Sequence, residues 1–414
     1  MISSPAQFNN AIAALPPLKL FIGGQWVDSD SNERIDVVNP ATGELLASIP
    51  HASASDVNRA VESARKAWDG WRLTPPFERA AICHRIADRI LARKEQIATV
   101  ISLEQGKYYW NLQAMKAALA ARVHYLDLGG LFYTTRKQLK LNSAFRSIGK
   151  LAILGIGSAP GTANVMARFL ADQLHRVRFI RVYNGSRDIQ SYSDPLSFGF
   201  SIATILDELT IPPIHFVKGR FESRERFSGA EPITFPKPIG KLIMRHSIHS
   251  EVATLPVSFK SKGIQEAFFK INYDPKLIEV TELLARIGLL EQKSVNVGGQ
   301  QVSPRALLEH LLKLRPQSNK IPKDIETIRV VVQGWKDGRA RTISMDATTR
   351  YTKSPALSAV ARDTGYPISV AAQMISAREI TAIGVHAPET SIPPREFLAR
   401  LHRRGIRISG SGWR

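Results

Sequence analysis

Three groups of residues have the types and spacing for chemistry. The first is the glycine-rich run Leu154-Gly155-Ile156-Gly157-Ser158-Ala159-Pro160-Gly161, set between an apolar run and a helix-forming stretch. A strand, a tight turn and a helix N-terminus can hold a phosphate or carboxylate, because backbone N–H groups point outward and the helix dipole favours an anion. The spacing is G-x-G-x-x-x-G, and the next apolar run ends in Val182-Tyr183-Asn184 without an acid for a ribose. Two readings stay open: an anion cradle, or a turn needing small residues to pass close to a neighbouring strand. The second group is Asp127 with Gly129 and Gly130. Asp127 ends the run Val123-His124-Tyr125-Leu126, where open α/β sheets place their ligands. It either faces a ligand or accepts hydrogen bonds from the glycine turn after it. The third group is Cys83 together with His246, His249 and Glu251. Cys83 lies beside the stripe Ile82, Ile86, Ile90, which predicts a small core residue and not a nucleophile. His246, His249 and Glu251 have no further ligand at metal-site spacing, so no metal is expected.

These groups need elements to position them. Gly23-Gly24 between apolar residues predicts a hairpin, and Pro40 with Gly43 a turn. Ser55 is a candidate N-cap for a helix with Val57, Ala60, Val61, Ala64 and Trp68 on a buried face. A second helix runs from about Phe77 to Arg93, and a third from Glu95 to Gln105, stopped by Gly106. Further helices are predicted over Asn111–Arg122, Tyr133–Ser147 and Thr162–Leu174, alternating with strands over Val123–Leu128, Leu151–Leu154 and Val177–Tyr183. That alternation predicts a parallel sheet. Ser201 caps a helix to Leu209, and strands follow at His215–Arg220, Gly240–Arg245 and Ile264–Ile271. Asp337-Gly338 between two β-prone runs is a strong hairpin signal. Helices are predicted over Ala356–Thr364, stopped by Gly365, and Pro367–Arg378, started by Pro367. Arg315 to Asp324 is the clearest linker candidate. Strands dominate after residue 190, which predicts an α+β domain with a largely antiparallel sheet.

Composition sets outer limits. At 414 residues the chain can build two or three cores. A single cysteine excludes an internal disulfide or a cysteine-cluster metal site. No apolar run approaches the roughly 20 residues of a membrane span. Met1 to Leu20 lacks a basic start followed by an apolar block, so no secretory signal is expected and cytoplasmic residence is. The net charge of +20 suits acidic small molecules, yet the basic residues are scattered and no nucleic-acid motif is present. The cluster Arg400, Arg403, Arg404 and Arg407, with Phe397, Leu398 and Leu401, predicts an amphipathic helix with a basic face.

Two resemblances meet at a seam near Gly106 to Tyr108. Phe21-Ile22-Gly23-Gly24-Gln25-Trp26-Val27, Val38-Asn39-Pro40-Ala41-Thr42-Gly43-Glu44, Ala60 to Trp68, Glu78-Arg79-Ala80 and Leu103-Glu104-Gln105-Gly106-Lys107 resemble the opening of the aldehyde dehydrogenase superfamily. In that family this stretch is scaffold, and none of its catalytic residues can be carried onto this chain. Cys83 is not the family's nucleophile. His124 to Gly130, then Leu154 to Val165, resemble late Rossmann strands of the saccharopine dehydrogenase family, in its lysine 6-dehydrogenase-like variant. This resemblance extends to the C-terminus and implies the fold class: a truncated Rossmann-like parallel sheet, then a substrate domain with a largely antiparallel sheet. The implied domains are 1–107, 108–190, 191–355 and a helical return over 356–414.

The resemblance also implies roles. Asp127 would be the base or electrostatic partner of a substrate amine. Ser158, Pro160, Gly161, Asn164, Ser201 and Thr204 would contact an amino-acid substrate, and Gly129, Gly155 and Gly157 the cofactor, NAD or NADP. A homo-oligomer acting on a small amino acid is expected, with neither nucleic acid nor membrane as partner. The function implied is oxidation or reduction at an amino-acid C–N centre, weakened or lost because the dinucleotide fingerprint is replaced by the first segment. The alternatives are a catalytically dead fusion with a structural or dimerising role, and an aldehyde-dehydrogenase-like protein without its catalytic cysteine.

Overall fold

A computed structural model describes residues 18–38, 45–93, 97, 110–129, 131–189, 201–298, 300–315 and 321–413. The chain divides into two compact units, Met1–Trp110 and Asn111–Arg414. The expected turn at Pro40 and Gly43, most of the helix over Glu95–Gln105, and the seam at Gly106–Tyr108 lie outside the described residues.

The first unit opens with β1 (Leu20–Ile22) and β2 (Gln25–Val27), an antiparallel hairpin. Its turn has positive φ at both Gly23 and Gly24, as the sequence predicts. β3 (Arg34–Val38) pairs antiparallel with β4 (Leu45–Pro50). α1 (Ala54–Leu73) starts at Ser53 and not Ser55, because Ser53 and Asp56 form a reciprocal capping box. Asp56 also accepts from Ser29 and Arg59, and these bonds hold its carboxyl well below the usual range. α2 (Pro76–Ala92) follows. The apolar faces expected to be buried are not: Val57, Val61, Trp68, Ile86 and Ile90 are all more than half exposed. Cys83 is exposed with them. The helical periodicity was read correctly, but among the described residues the first unit supplies only two-stranded sheets, too small to cover both helices.

All but the first residue of α3 (Trp110–Ala120) belongs to the second unit, which continues with β5 (Tyr125–Leu126), α4 (Leu131–Leu139), α5 (Asn142–Ser147), β6 (Leu151–Ile153) and α6 (Thr162–Ala171). The helix expected over Tyr133–Ser147 is thus two, broken at Lys140-Leu141. Next come β7 (Arg176–Asp188), α7 (Ile202–Thr210), β8 (Ile214–Val217), β9 (Arg220–Ser223), β10 (Glu231–Thr234), β11 (Lys241–His246), α8 (Glu251–Ser258) and β12 (Glu266–Asn272). α9 (Pro275–Arg286), β13 (Val295–Val297), β14 (Gln300–Val302) and α10 (Pro304–Leu314) lead to the long hairpin β15 (Asp324–Lys336) and β16 (Arg339–Arg350). Asp337 and Gly338 form its turn, both with positive φ. The chain continues through β17 (Thr352–Lys353), β18 (Ala356–Leu357), α11 (Ala359–Ser376), β19 (Gly384–His386), α12 (Pro388–Ser391), α13 (Pro394–Arg403) and β20 (Arg407–Gly410).

Two sheets organise this unit. One is parallel and three-stranded, in the order β19-β6-β5. The other is mixed, in the order β10-β11-β12-β7-β15-β16-β20, with β8 and β9 attached at β12. The strand expected over Val177–Tyr183 in the parallel layer is β7 of this larger sheet, where it runs parallel to β12 and antiparallel to β15. Its even-numbered residues Ile180 and Val182 face the main core with α6, α8 and α11. Gly365 and Pro367 do not divide α11, which runs unbroken through both. Burial of Ala359, Asp363, Pro367, Val370 and Met374 on one face outweighs the local preference of the two residues to break it. α13 is amphipathic as expected: Phe397, Leu398 and Leu401 are fully buried, and Arg400 pairs with Glu379. β20 closes the edge of β16, and Trp413 beyond it meets the Phe169 ring edge-on at 5.9 Å. Part of the expected linker, 316–320, lies outside the described residues, and Asp324 already belongs to β15.

Candidate functional site

The glycine turn is tied to Asp127 from below. Gly129 N and Gly155 N donate to Asp127 Oδ1 at 3.0 and 2.7 Å. The Tyr125 hydroxyl and Gln138 Nε2 donate to Oδ2 at 2.9 and 2.6 Å. A carboxylate has about four acceptor positions, so this one is filled. Asp127 is buried and acts on the two turns directly, with no lone pair left for a substrate proton. Burial, with Asp127 beside it, pushes the Tyr125 phenol far above its usual range.

The glycines are explained by packing. Gly129 and Gly155 have positive φ, and a Cβ on either would lie 2.6 or 2.7 Å from the Pro160 ring. A Cβ on Gly161 would lie 2.3 Å from Gly157 N. Gly157 N donates to Pro160 O, Gly161 N to Asn164 Oδ1, Thr162 N to Gly157 O and Ala163 N to Ser158 O. The N–H groups of Gly129, Gly155, Gly157 and Gly161 are therefore all engaged within the protein. A cofactor pyrophosphate does not fit here, since these glycines have no donor free to meet it. Of the two readings of the turn, close passage is the one its geometry follows.

Asn164 is likewise committed. Its Nδ2 donates to Thr254 Oγ1 at 3.3 Å and to Glu389 Oε2 at 2.8 Å, and Ser258 reaches the other Glu389 oxygen at 2.8 Å. Burial raises the pKa of Glu389. This clasp joins α6, α8 and α12. Ser201 is exposed and caps α7 by accepting from Thr204 N, and Thr204 is half-buried.

Ser158 alone among the expected residues points to a chemically distinctive place. Its hydroxyl donates to Glu326 Oε1 at 3.2 Å, from the turn to the first residues of β15. Glu326 also hydrogen-bonds Asp363 of α11 and Asn184 of β7. Burial drives the pKa values of these two carboxyl groups up, that of Asp363 strongly. Asp363 Oδ1 and Asn184 Oδ1 have no partner. Within electrostatic reach of Glu326 lie Glu208 and His249, and Glu251 is within reach of both of these. His249 stacks on Phe269 at 4.0 Å, and its Nδ1 contacts Glu251 Oε2. Burial opposes charge on this ring, but Glu251 overcomes it and the pKa rises. Glu251 is fully buried, and its Oε1 has no partner. Burial pushes Glu208 up to about 7. Tyr273 donates to Ser247 at 2.8 Å beside this group. The result is an acid-rich centre with acceptors to spare, suited to a cationic hydrogen-bond donor.

Sequence reasoning singled out Ser158, and it weighed His249 and Glu251 only for a metal reading that their spacing did not favour. No group of three metal-ligating side chains occurs among the described residues. Glu208, Glu326 and Asp363 were missed. Glu326 carried one signal: an acid inside the apolar β run Ile325 to Val332. His246, also read as a possible ligand, lies 4.9 Å from His215, both rings edge-on to Phe268. Burial lowers these two histidines to about 3 and about 4.

Comparison with known proteins agrees with this two-part architecture. Residues 26–129 match the aldehyde dehydrogenase family. A malonate-semialdehyde dehydrogenase of Halalkalibacterium halodurans is 44% identical over 92 residues, 22% of this chain and 19% of that protein. The chain thus spans about a fifth of that relative's length. The apo saccharopine dehydrogenase (L-Glu forming) of Saccharomyces cerevisiae shares the fold, with a TM-score of 0.53 at 16% identity over 72% of this chain and 81% of that one. Residues 157–406, more than half of the sequence, match the saccharopine dehydrogenase C-terminal domain, and it is to this family that the chain belongs.

Proposed function

We propose that this protein binds an amino acid through its ammonium group, as an oxidoreductase-family member of the saccharopine or lysine dehydrogenase type with weak or absent turnover. The observation that carries the reading is the acid-rich centre around half-buried Glu208 and buried Glu251 and Glu326, with unpartnered acceptors on Glu251, Asn184 and Asp363. A protonated amine supplies donors and the charge that such a centre lacks. Ser158 lies at its rim, and Ser201 and Thr204 are hydroxyls available to a substrate carboxylate. Asp127 is a positioning residue, fixing Gly129 and Gly155 and through them Ser158. The nicotinamide cofactor, NAD or NADP, is implied by family, and the engaged N–H groups of the turn are the reason to expect feeble binding. A homo-oligomer in the cytoplasm is the setting we expect. No described helix is long and apolar enough to cross a membrane.

Calorimetric titration tests both halves. L-lysine and saccharopine are expected to bind saturably, at least tenfold more weakly to Glu251→Gln. NAD(H) and NADP(H) are expected to give no saturable binding even at millimolar concentration. If neither amino acid binds, the amine site is lost; if cofactor binds at micromolar concentration, the weak-turnover reading is lost and amine oxidation returns.

A second reading, a non-catalytic structural protein, is favoured by the apolar helix faces that the first unit exposes. It predicts that neither amino acid nor cofactor binds.

A further inference from the structure

We infer that Arg305 of α10 is a positioning residue for the acid-rich centre: it fixes the rotation of α7 and with it the place of Glu208. The inference rests on the amino-acid reading and deepens it. α7 and its cap divide into three faces. At about 100° per residue, Ser201, Thr204 and Glu208 share one, Ile202, Ile205, Leu206 and Leu209 a second, and Ala203, Asp207 and Thr210 a third. Each lies about a third of a turn from the next. On the apolar face Leu206 packs with Leu290, Leu308 and Leu312, and Leu209 with Phe227. Contacts of this kind hold a helix down but have no direction, so they leave its rotation loosely set. A rotation of roughly 20° would sweep a carboxyl at the helix surface by about 2 Å, enough to break its hydrogen bonds.

Arg305 supplies the direction. It is 3% exposed, and its guanidinium reaches all three residues of the third face. Nη2 donates to Ala203 O at 3.1 Å and to Asp207 Oδ1 at 2.5 Å, and Nη1 donates to Thr210 Oγ1 at 3.1 Å. One rigid planar fork that meets three acceptors spread over about two turns of helix sets both the rotation and the height of that helix. The fork is itself held. Its Nε donates to Glu309 Oε1 at 3.3 Å, one turn along α10, and Arg305 N donates to Glu291 O at 3.1 Å. With the third face locked, Glu208 stays within electrostatic reach of His249, Glu251 and Tyr273.

Carboxyl NMR of Glu208, with no ligand present, tests the placement; its resonance is the one missing from Glu208→Gln. In the parent its titration midpoint is expected at about 7. Arg305→Lys keeps the charge, but one ammonium cannot meet acceptors so far apart. α7 then turns, Glu208 gains water, and the midpoint should fall by about two pH units, toward 4.5. Arg305→Met should act alike, whereas loss of a positive charge alone would raise the midpoint. Should Arg305→Met fail to fold, Arg305→Lys decides. Arg226→Met is the control. Arg226 donates to Leu209 O of α7 at 3.4 Å and pairs with Glu282, so its loss also loosens the helix but touches none of the third face. There the midpoint should stay. At about pH 8, where Glu208 is ionised in every variant, L-lysine should bind roughly tenfold more weakly to Arg305→Lys than to the parent. A midpoint near 7 in the Arg305 variants, with circular dichroism unchanged, overturns the inference. So does an equal fall in Arg226→Met, or an L-lysine affinity that Arg305→Lys leaves unchanged. A parent chain that binds no L-lysine sinks the amine reading instead, and the midpoints then still decide whether Arg305 places Glu208.

Discussion

Glu208 shows how single residues tie the centre to pH. Burial raises its pKa from 4.5 to about 7, against the pull of His249 and with Asp207, Glu251 and Glu326 adding repulsion. The folded state therefore holds this proton more tightly than the unfolded chain does. Its contribution is present below pH 4.5 and is lost as pH rises through about 7. Glu208→Gln keeps the shape without the titration. It should match the parent below pH 4.5 and exceed it by about 3 kcal/mol above pH 7, read from urea midpoints across that range. Equal stability at both ends would mean that Glu208 ionises freely. Residues of this kind were hard to read from the sequence. Ser158 and Glu326 stand 168 positions apart, and Asp363 is on a third element, so no local spacing announces the group. Asp127, by contrast, was legible as important from its place at a strand end. Of the two readings left open for it, acceptance from the glycine turn is the one its four donors match, two of them from the glycine turns.

At the scale of elements, local chemistry carried most of the reading. Gly23-Gly24 and Asp337-Gly338 each make the hairpin that their backbone freedom favours. α11 departs from expectation because its signals, Gly365 and Pro367, are local while its burial is global. β7 was legible as a strand but not as a member of the larger sheet, since strand pairing depends on β12 and β15 far along the chain. One glycine without any sequence signal matters here. At Gly334 the register between β7 and β15 shifts, and a Cβ there would lie 1.9 Å from Arg176 O. The obstruction is backbone, which cannot rotate aside. Gly334→Ala should destabilise the protein by about 3 kcal/mol or more, measured by chemical denaturation, and faster amide exchange along Arg176–Ile180 should accompany it. A loss below about 0.5 kcal/mol would show that the two strands separate there at little cost.

At the scale of the whole molecule, the two compact units differ in how much they bury. The second has a large continuous core through its main sheet, whereas Asp56 is the buried residue of α1 and α2 has none. Marginal burial gives low local stability. Limited trypsin digestion should therefore cut first within Met1–Trp110 and leave a resistant fragment near Asn111–Arg414. Uniform resistance at protein concentrations where the mass is single would contradict this ordering. The C-terminal edge has a different implication, for how the chain is assembled. β16 ends at Arg350, but the strand that covers its outer rim arrives only at Arg407, after α11 and α13 have been laid down. A nascent chain thus carries a long β-hairpin with one uncapped rim while more than fifty residues emerge, and in that interval chaperone protection would serve it most.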